Sequence, residues 1–309
     1  MAAVSLPQKS TTVRKNWKLS LLRSSFAIGA WLMPGATLQR AFRLFGTPMP
    51  GGRFKAHTAE LAGASVESLA YGHEQVTCYR WGDVDRQPLA VLAHGWSGHG
   101  LQMAAWVAPL RRAGYAVVTF DQIAHGRSTG CRATLPLFAD VLARVTDHYG
   151  GASVLVAHSL GGAAAMIALS RGMRCDHTVL IAPAGDPLDA ARRFGGFVGL
   201  PGHLSARLFE DFEALTGIDV DDLQVHRSAS RIAGRALVVH DLEDREVPWC
   251  EGERYARYWP AATLLSTQGL GHNRVLSDPS VLAQSLSFLG GTPVGERVVS
   301  SPNLPFGFA

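Results

Sequence analysis

The stretch from Ser153 to Gly162, SVLVAHSLGG, constrains this chain more than any other. Val154, Leu155, Val156 and Ala157 make a short apolar run of the kind that forms a buried strand. His158-Ser159-Leu160-Gly161-Gly162 follows, and the Ala-rich run Ala163 to Leu169 then predicts a helix. A strand, a tight turn with one hydroxyl at its apex, and a helix make the layout of a nucleophile elbow. Such a turn strains the backbone at Ser159 and projects its hydroxyl from the carboxyl edge of a sheet. The residues two before and two after the serine must be small, because strand and helix pass close together there. Ala157 and Gly161 meet that demand, with Ala157 standing where the common pattern has Gly. The alternative is a helix packed on a strand with Ser159 as an ordinary N-cap.

The rest of the chain supplies the sheet that such an elbow needs. Val66 to Leu69 and Gln75 to Trp81 alternate as short antiparallel strands do. Leu89 to Ala93, Tyr115 to Phe120, His177 to Ile181, Arg235 to His240 and Ala262 to Leu265 are further strands. Leu101 to Arg112, Pro136 to Tyr149 and Val281 to Leu289 read as helices between and after them. Alternation of this kind implies a mostly parallel sheet with helices on both faces. Ligands of such sheets sit beyond the carboxyl ends of the strands. Ala184 to Ala233 interrupts the alternation with Phe194, Phe197, Leu200, Leu204, Leu208, Phe209 and Phe212 and with acidic runs at Glu210 to Glu213 and Asp219 to Asp222. Residues 184–233 therefore read as a small helical cap inserted over the strand ends.

The residues able to do chemistry do follow the apolar runs. His94-Gly95-Trp96-Ser97-Gly98 comes after Leu89 to Ala93, and such a loop can aim backbone N–H groups at a substrate oxygen. The N–H groups of Trp96 and Leu160 are the expected oxyanion-hole pair. Asp241-Leu242-Glu243-Asp244 follows Arg235 to His240, and a carboxylate there can orient a histidine. Asp244 is the first candidate, Asp241 the second, and Asp186 a third; a carboxylate left unused can cap the helix starting near Pro248. Gly269-Leu270-Gly271-His272-Asn273 follows the last strand and offers His272 as the base. Ser159, Asp244 and His272 then stand in the chain order Ser, Asp, His. Histidines 99, 125, 158, 203 and 240 read as structural or surface residues, and Trp249 and Trp259 as packing.

With HGWSG at His94, AHSLGG at Ala157, HDLEDREVP at His240 and GLGH at Gly269, residues 65 to 290 resemble the α/β-hydrolase superfamily, in its serine hydrolase branch with a Ser-Asp-His triad. The loop from Asp121 to Ser128 is also similar to the superfamily's loop after its fourth strand. The resemblance implies an α/β fold with an eight-stranded core sheet, a variable cap and no cofactor; no metal site is read either. It also places the acid at Asp244, the position followed by x-x-Val-Pro. Catalytic Ser159, Asp244 and His272 would cleave a carboxylic ester or similar acyl substrate through an acyl-enzyme. A carbon–carbon bond hydrolase or an acyltransferase would use the same triad, and a non-catalytic ligand-binding module could share the fold. A serine at the elbow argues against the branches that place an aspartate there.

Composition sets the outer limits. The chain has 309 residues, 47% of them hydrophobic and 17% charged, enough for a large core and unlike a disordered chain. The net charge is +4, and no nucleic-acid-binding motif gathers the basic residues. Cys78, Cys131, Cys175 and Cys250 lie far apart without metal-ligand spacing, which suits free thiols in a reducing, cytoplasmic setting, although an even count also permits two disulfides. The expected organisation is an N-terminal helical segment (1–50), a hydrolase domain (51–290) and a C-terminal tail (291–309). In the first segment, Lys9, Arg14, Lys15, Lys18 and Arg23 precede an uncharged run from Ser24 to Gln39 that is too short and too broken to span a bilayer. Helices are expected over Trp17 to Met33 and Thr37 to Phe45, with a Pro/Gly-rich joint from Gly46 to Gly52. They could pack on the body or make a peripheral contact with a membrane surface, and packing is the expectation. The remaining partners expected are a small acyl substrate and, at most, a second copy of the chain: a monomer or homodimer.

Overall fold

The apolar runs assemble into one eight-stranded sheet in a computed structural model that describes residues 17–205, 207 and 219–298. The strands are β1 (Ser65–Tyr71), β2 (Glu74–Trp81), β3 (Leu89–Ala93), β4 (Ala116–Phe120), β5 (Ala152–His158), β6 (Cys175–Ile181), β7 (Arg235–Asp241) and β8 (Ala262–Thr267). Their spatial order is β1-β2-β4-β3-β5-β6-β7-β8. β1 pairs antiparallel with β2, and β2 antiparallel with β4; every later pairing is parallel. β3 and β4 are buried at every residue, as strands covered on both faces must be.

Among the described residues the α-helices longer than a single turn are α1 (Trp17–Leu32), α2 (Pro34–Phe45), α3 (Pro50–Thr58), α4 (Val107–Arg112), α5 (Leu135–His148), α6 (Leu160–Ser170), α7 (Pro187–Val198), α8 (Trp249–Tyr258) and α9 (Pro279–Leu289). Successive strand side chains point to opposite faces, and the core divides accordingly. Val91, Ala93, Val118, Phe120 and Leu155 pack with α5, α6 and α8. Ala90, Leu92, Val117, Val154 and Val156 pack with α4, α9 and the turn that leads into α4.

That turn departs from expectation. Leu101 to Arg112 reads as one helix, but Gly100–Trp106 is a 3-10 turn and only Val107–Arg112 is α-helical. Pro109 has no N–H to donate back to Ala105, so an α-helix running through it would break; in the first turn of α4 it is tolerated. Gly100 is also pinned, its N–H donating to Asp121 Oδ1 at 2.6 Å.

The joint at Gly46 to Gly52 also hides a helix. α3 starts at Pro50, and Gly52 in its first turn lies so close to the next loop that a Cβ would stand 2.1 Å from the Ser97 carbonyl oxygen. Proline at the first helical position is the sequence signal for this start. α2 likewise starts at Pro34 rather than Thr37.

The N-terminal helices form a hairpin, and one face of it packs on the cap. Phe26 and Ala30 of α1 and Leu38 and Ala41 of α2 share a small core with Val198, Leu200 and Leu204. Gly29 permits the close crossing, since a Cβ there would meet Thr37 Oγ1 at 2.6 Å. Arg23 Nε donates to the Phe197 carbonyl at 2.9 Å, and the rings of Phe45 and Phe194 lie 5.0 Å apart. α3 is fastened separately: Arg53 donates to the carbonyls of Ala124 and Gly130, and Arg127 to that of Ala56.

Among the described residues of 184–233 there is no strand. α7 is N-capped by Asp186 and stops at Gly199, whose φ of 78° is the left-handed conformation that ends helices. Buried Glu251 on α8 anchors it, accepting from the N–H groups of Gly185 and Asp186 and from Arg193. Leu208, Phe209, Phe212 and the acidic run Glu210 to Glu213 lie outside the described residues, as do Lys9, Arg14 and Lys15. Of the tail, Glu296 pairs with Leu264 on the β8 edge, and residues 299–309 lie outside the described ones.

Phe26 is fully buried between hairpin and cap. Phe26→Ala should cost about 3 kcal/mol of local stability, as deletion of a buried aromatic ring does. Removal of residues 1–45 should expose the same apolar surface. Both changes are expected to lower the melting temperature measured by circular dichroism, the truncation more.

Candidate active site

The carboxyl ends of β3, β5, β7 and β8 bring together the residues singled out in the sequence. Ser159 sits between β5 and α6 at φ 54°, ψ −122°, the strained turn expected of an elbow. A Cβ on Gly161 would lie 2.6 Å from the His94 carbonyl oxygen, so glycine is required there. Ala157, two residues before the serine, is fully buried and its methyl is accommodated in the core.

His272, on the helical turn Gly271–Arg274 after β8, places Nε2 3.0 Å from Ser159 Oγ and Nδ1 2.7 Å from Asp244 Oδ2. Asp244 Oδ1 accepts from the N–H groups of Glu246 and Val247 at 2.8 and 2.9 Å. Burial pushes this carboxyl up, but hydrogen bonds from His240, His272 and the Val247 N–H outweigh burial and hold it well below the ordinary carboxylate range. An ionised Asp244 requires a donor, so Nδ1 of His272 carries the proton. Nε2 then turns its lone pair to the serine hydroxyl.

The other candidates have different partners. Asp241 accepts from Glu243 N–H, Thr267 Oγ1 and Leu270 N–H, and so fixes the loop that carries His272 without touching its ring. Asp186 caps α7 and pairs with Arg254 at 2.9 Å. Trp249 Nε1 donates to Ser266 and Trp259 Nε1 to Gly234, as packing residues do.

Trp96 and Leu160 flank the serine. Leu160 opens α6, so its N–H is one of the first-turn donors without an intrahelical acceptor. The Trp96 N–H bonds to no described residue. Gly95, between the two loops, lies against the serine: a Cβ there would stand 2.8 Å from Ser159 Cβ. The half-buried Trp96 ring packs on His125 and Phe138, with centroids 5.1 and 6.0 Å away. From the solvent side, a depression of about 400 Å³ reaches His272 between Glu243, Arg245, Glu246 and Arg274.

Two histidines read as structural support the site from behind. His158 Nε2 lies 3.0 Å from the His272 carbonyl oxygen, and burial pushes its pKa down to about 4. His240 Nε2 lies 3.0 Å from the Val247 carbonyl oxygen and 3.4 Å from Asp244 Oδ2. Both lie at the carboxyl end of strands that pattern alone marks only as apolar; their position there is the one signal that could have found them. His94 and His125 are buried neutral as well, each pushed down to about 3 by burial. His94 takes the Gln122 N–H on Nε2 and sets Nδ1 against the Gly95 carbonyl oxygen.

An eight-stranded sheet of this order with a serine at the turn after β5 defines the α/β-hydrolase fold. A profile of the Alpha/beta hydrolase family matches residues 90–285, and the chain belongs to that family. No curated protein matches the chain by sequence. Among solved structures it is similar to a membrane phospholipase A described as a bacterial virulence factor, at 19% identity, covering 89% of this chain and 97% of that one with a TM-score of 0.58. A serine hydrolase from Cycloclasticus zankles aligns at 18% identity over 74% of this chain and 99% of that one, with a TM-score of 0.57. A thioesterase domain from the curacin biosynthetic pathway aligns at 17% identity, with coverage of 74% and 99% and a TM-score of 0.55. At these identities the likeness is one of fold.

The buried histidines give a pH dependence of definite sign. Unfolded histidines take up a proton near pH 6.5, whereas His94, His125 and His158 resist it in the fold down to about 3 to 4. Between those values the unfolded chain binds more protons, so stability falls as pH falls. The melting temperature should therefore drop steadily from pH 6.5 to 4, and fall further below that as Asp244 is protonated. A flat profile over that interval would contradict the buried neutral histidines.

Proposed function

We propose that the protein is a serine hydrolase acting on a carboxylic ester or a similar acyl substrate. The observation that carries this reading is the continuous line of contacts from Asp244 through His272 to Ser159, at 2.7 and 3.0 Å, ending on a hydroxyl held in a strained turn. Ser159 Oγ attacks the substrate carbonyl carbon as His272 Nε2 takes its proton, and Asp244 stabilises the imidazolium that forms. The carbonyl oxygen becomes an oxyanion facing the N–H groups of Trp96 and Leu160, an interaction worth several kcal/mol in a dry site. Collapse of this intermediate breaks the bond to the alcohol, which leaves with the proton from His272. A water molecule then gives a proton to His272 and attacks the acyl-enzyme. The second collapse frees the acid and returns the proton to Ser159. The phospholipase, the serine hydrolase and the thioesterase domain among the similar structures are named for acyl or serine chemistry, which supports this reading.

A fluorophosphonate probe tests it directly. The expected result is labelling of the natural protein and none of Ser159→Ala; folded protein that does not label would leave a non-catalytic ligand-binding module. p-Nitrophenyl esters of increasing chain length then separate ester hydrolysis from other acyl chemistry and measure the acyl pocket. Asp244→Asn should leave the fold intact and lower kcat by about three to four orders of magnitude, because the wrong histidine tautomer is then held. Asp241→Asn should cost no more than about tenfold, since an amide oxygen in the place of Oδ2 still accepts from Thr267 Oγ1 and from the Leu270 N–H. Reversal of these two outcomes would reassign the acid.

A further inference from the structure

The net charge of this chain conceals a division. Residues 1–59 contain nine Lys and Arg and no Asp or Glu, and Glu60 is the first acid. The remaining residues hold twenty Lys and Arg against twenty-five Asp and Glu. A basic leading segment of +9 is thus joined to an acidic remainder of −5, which together give the net +4.

α1 carries apolar side chains on two opposite faces. Phe26 and Ala30 face inward to α2 and the cap. Leu21, Ile28, Trp31 and Leu32 face the other way, within about 100° of one another around the helix at 3.6 residues per turn. All four are exposed, Trp31 at 83%, and Met33 at the corner with α2 is exposed as well. A helix apolar on all sides is ordinarily buried, and a contiguous exposed apolar patch marks a contact with something outside the chain. No described residue covers this one. Arg43 on α2 and Lys55 on α3 are exposed on the same basic segment.

We propose that the outer face of α1 docks the protein on the surface of an anionic lipid bilayer. The charge division selects this occupant. Anionic headgroups attract the basic segment and repel the acidic remainder, which orients the molecule. A second copy of the chain would instead bring two strongly basic segments face to face. Among the described residues no helix is long and apolar enough to cross a membrane, so α1 lies in the interface plane with its outer side chains among the headgroups. Its inner face stays on the cap, so the helix need not leave the fold to bind. This inference does not rest on the proposed hydrolysis, and its test reads binding alone.

The full chain is sedimented with vesicles of phosphatidylglycerol and phosphatidylcholine in equal parts, and with phosphatidylcholine alone. At low salt, at least tenfold stronger partition to the anionic vesicles is expected, most of it lost at about 0.5 M salt, where surface charges are screened. The combined change Ile28→Ser, Trp31→Ser and Leu32→Ser should reduce anionic partition at least tenfold. Its melting temperature should match that of the natural chain, because these side chains are already in water. Trp31→Ser alone serves as the milder variant and should reduce partition several-fold. Natural protein that ignores anionic vesicles, or variants that bind as well as it does, would overturn the proposal. So would a dimer in light scattering that the combined change makes monomeric without any vesicle binding, which would assign the face to self-contact.

Discussion

The candidate site depends on two backbones passing at a distance that only glycine permits. Gly161 runs beneath the carbonyls of Ala93 and His94, and any side chain there would force β3 and α6 apart. This contact lets the chain reverse within one residue, and Ser159 absorbs the reversal at φ 54°. A non-glycine residue in such a conformation costs on the order of 1–3 kcal/mol, and it persists only where its surroundings over-determine it. They do so here. The Ser159 N–H donates to Ile181 at the end of β6, and its carbonyl accepts from both Gly162 and Ala184. The serine backbone is held from three directions, which leaves its side chain as the one group free to point out of the sheet.

A second tier of residues fixes what faces the serine. Asp241 holds the loop before His272 through the Leu270 N–H, and His158 lies against the His272 carbonyl from the end of the neighbouring strand. The aromatic ring thus receives its orientation from its own backbone as well as from Asp244. His158 suits this task because burial favours its neutral ring, which then offers one donor and adds no charge beside the imidazole it supports. At His240 the same geometry serves the carboxylate, with Nε2 near both Val247 and Asp244. A charged residue in place of His158 would compete with the Asp244–His272 pair.

Much of this was legible in the sequence because the sheet is buried on both faces. A strand such as Leu89–Ala93 then reads as a continuous apolar run with sharp ends, and the residue after each run must lie at the carboxyl edge. That reasoning reaches Ser159 and His272, whose loops offer no rival. It leaves Asp241 and Asp244 together, because both carboxylates occupy one loop and pattern carries no information about direction. The structure separates them by register: Asp241 still belongs to β7 and pairs across to Thr267, whereas Asp244 lies past the turn. α3 was hidden for another reason. Its Pro50-Gly51-Gly52 start has the composition of a loop, and the glycine answers a contact with Ser97, distant in sequence. The attachment of the cap was equally out of reach, since Glu251 and Gly185 meet across 66 residues of chain.

The N-terminal helices draw these long-range contacts into one support. The hairpin grips the cap through Phe26, Arg23 and the Phe45–Phe194 pair, while the start of α3 grips the loop beside the serine. There the Met49 N–H donates to Ser97 Oγ at 2.8 Å, and Ser97 itself sits at a positive φ of 55°. A serine in that conformation needs outside partners to stay there, and the N-terminal segment supplies one of them. The orientation of the Trp96 N–H, one residue earlier, therefore depends on a segment that lies outside the matched family region of residues 90–285. The cap and the loop that carries Trp96 are joined through α1 to α3 as well as through the sheet. A change in how those helices sit would reach the cap and the loop beside the serine together.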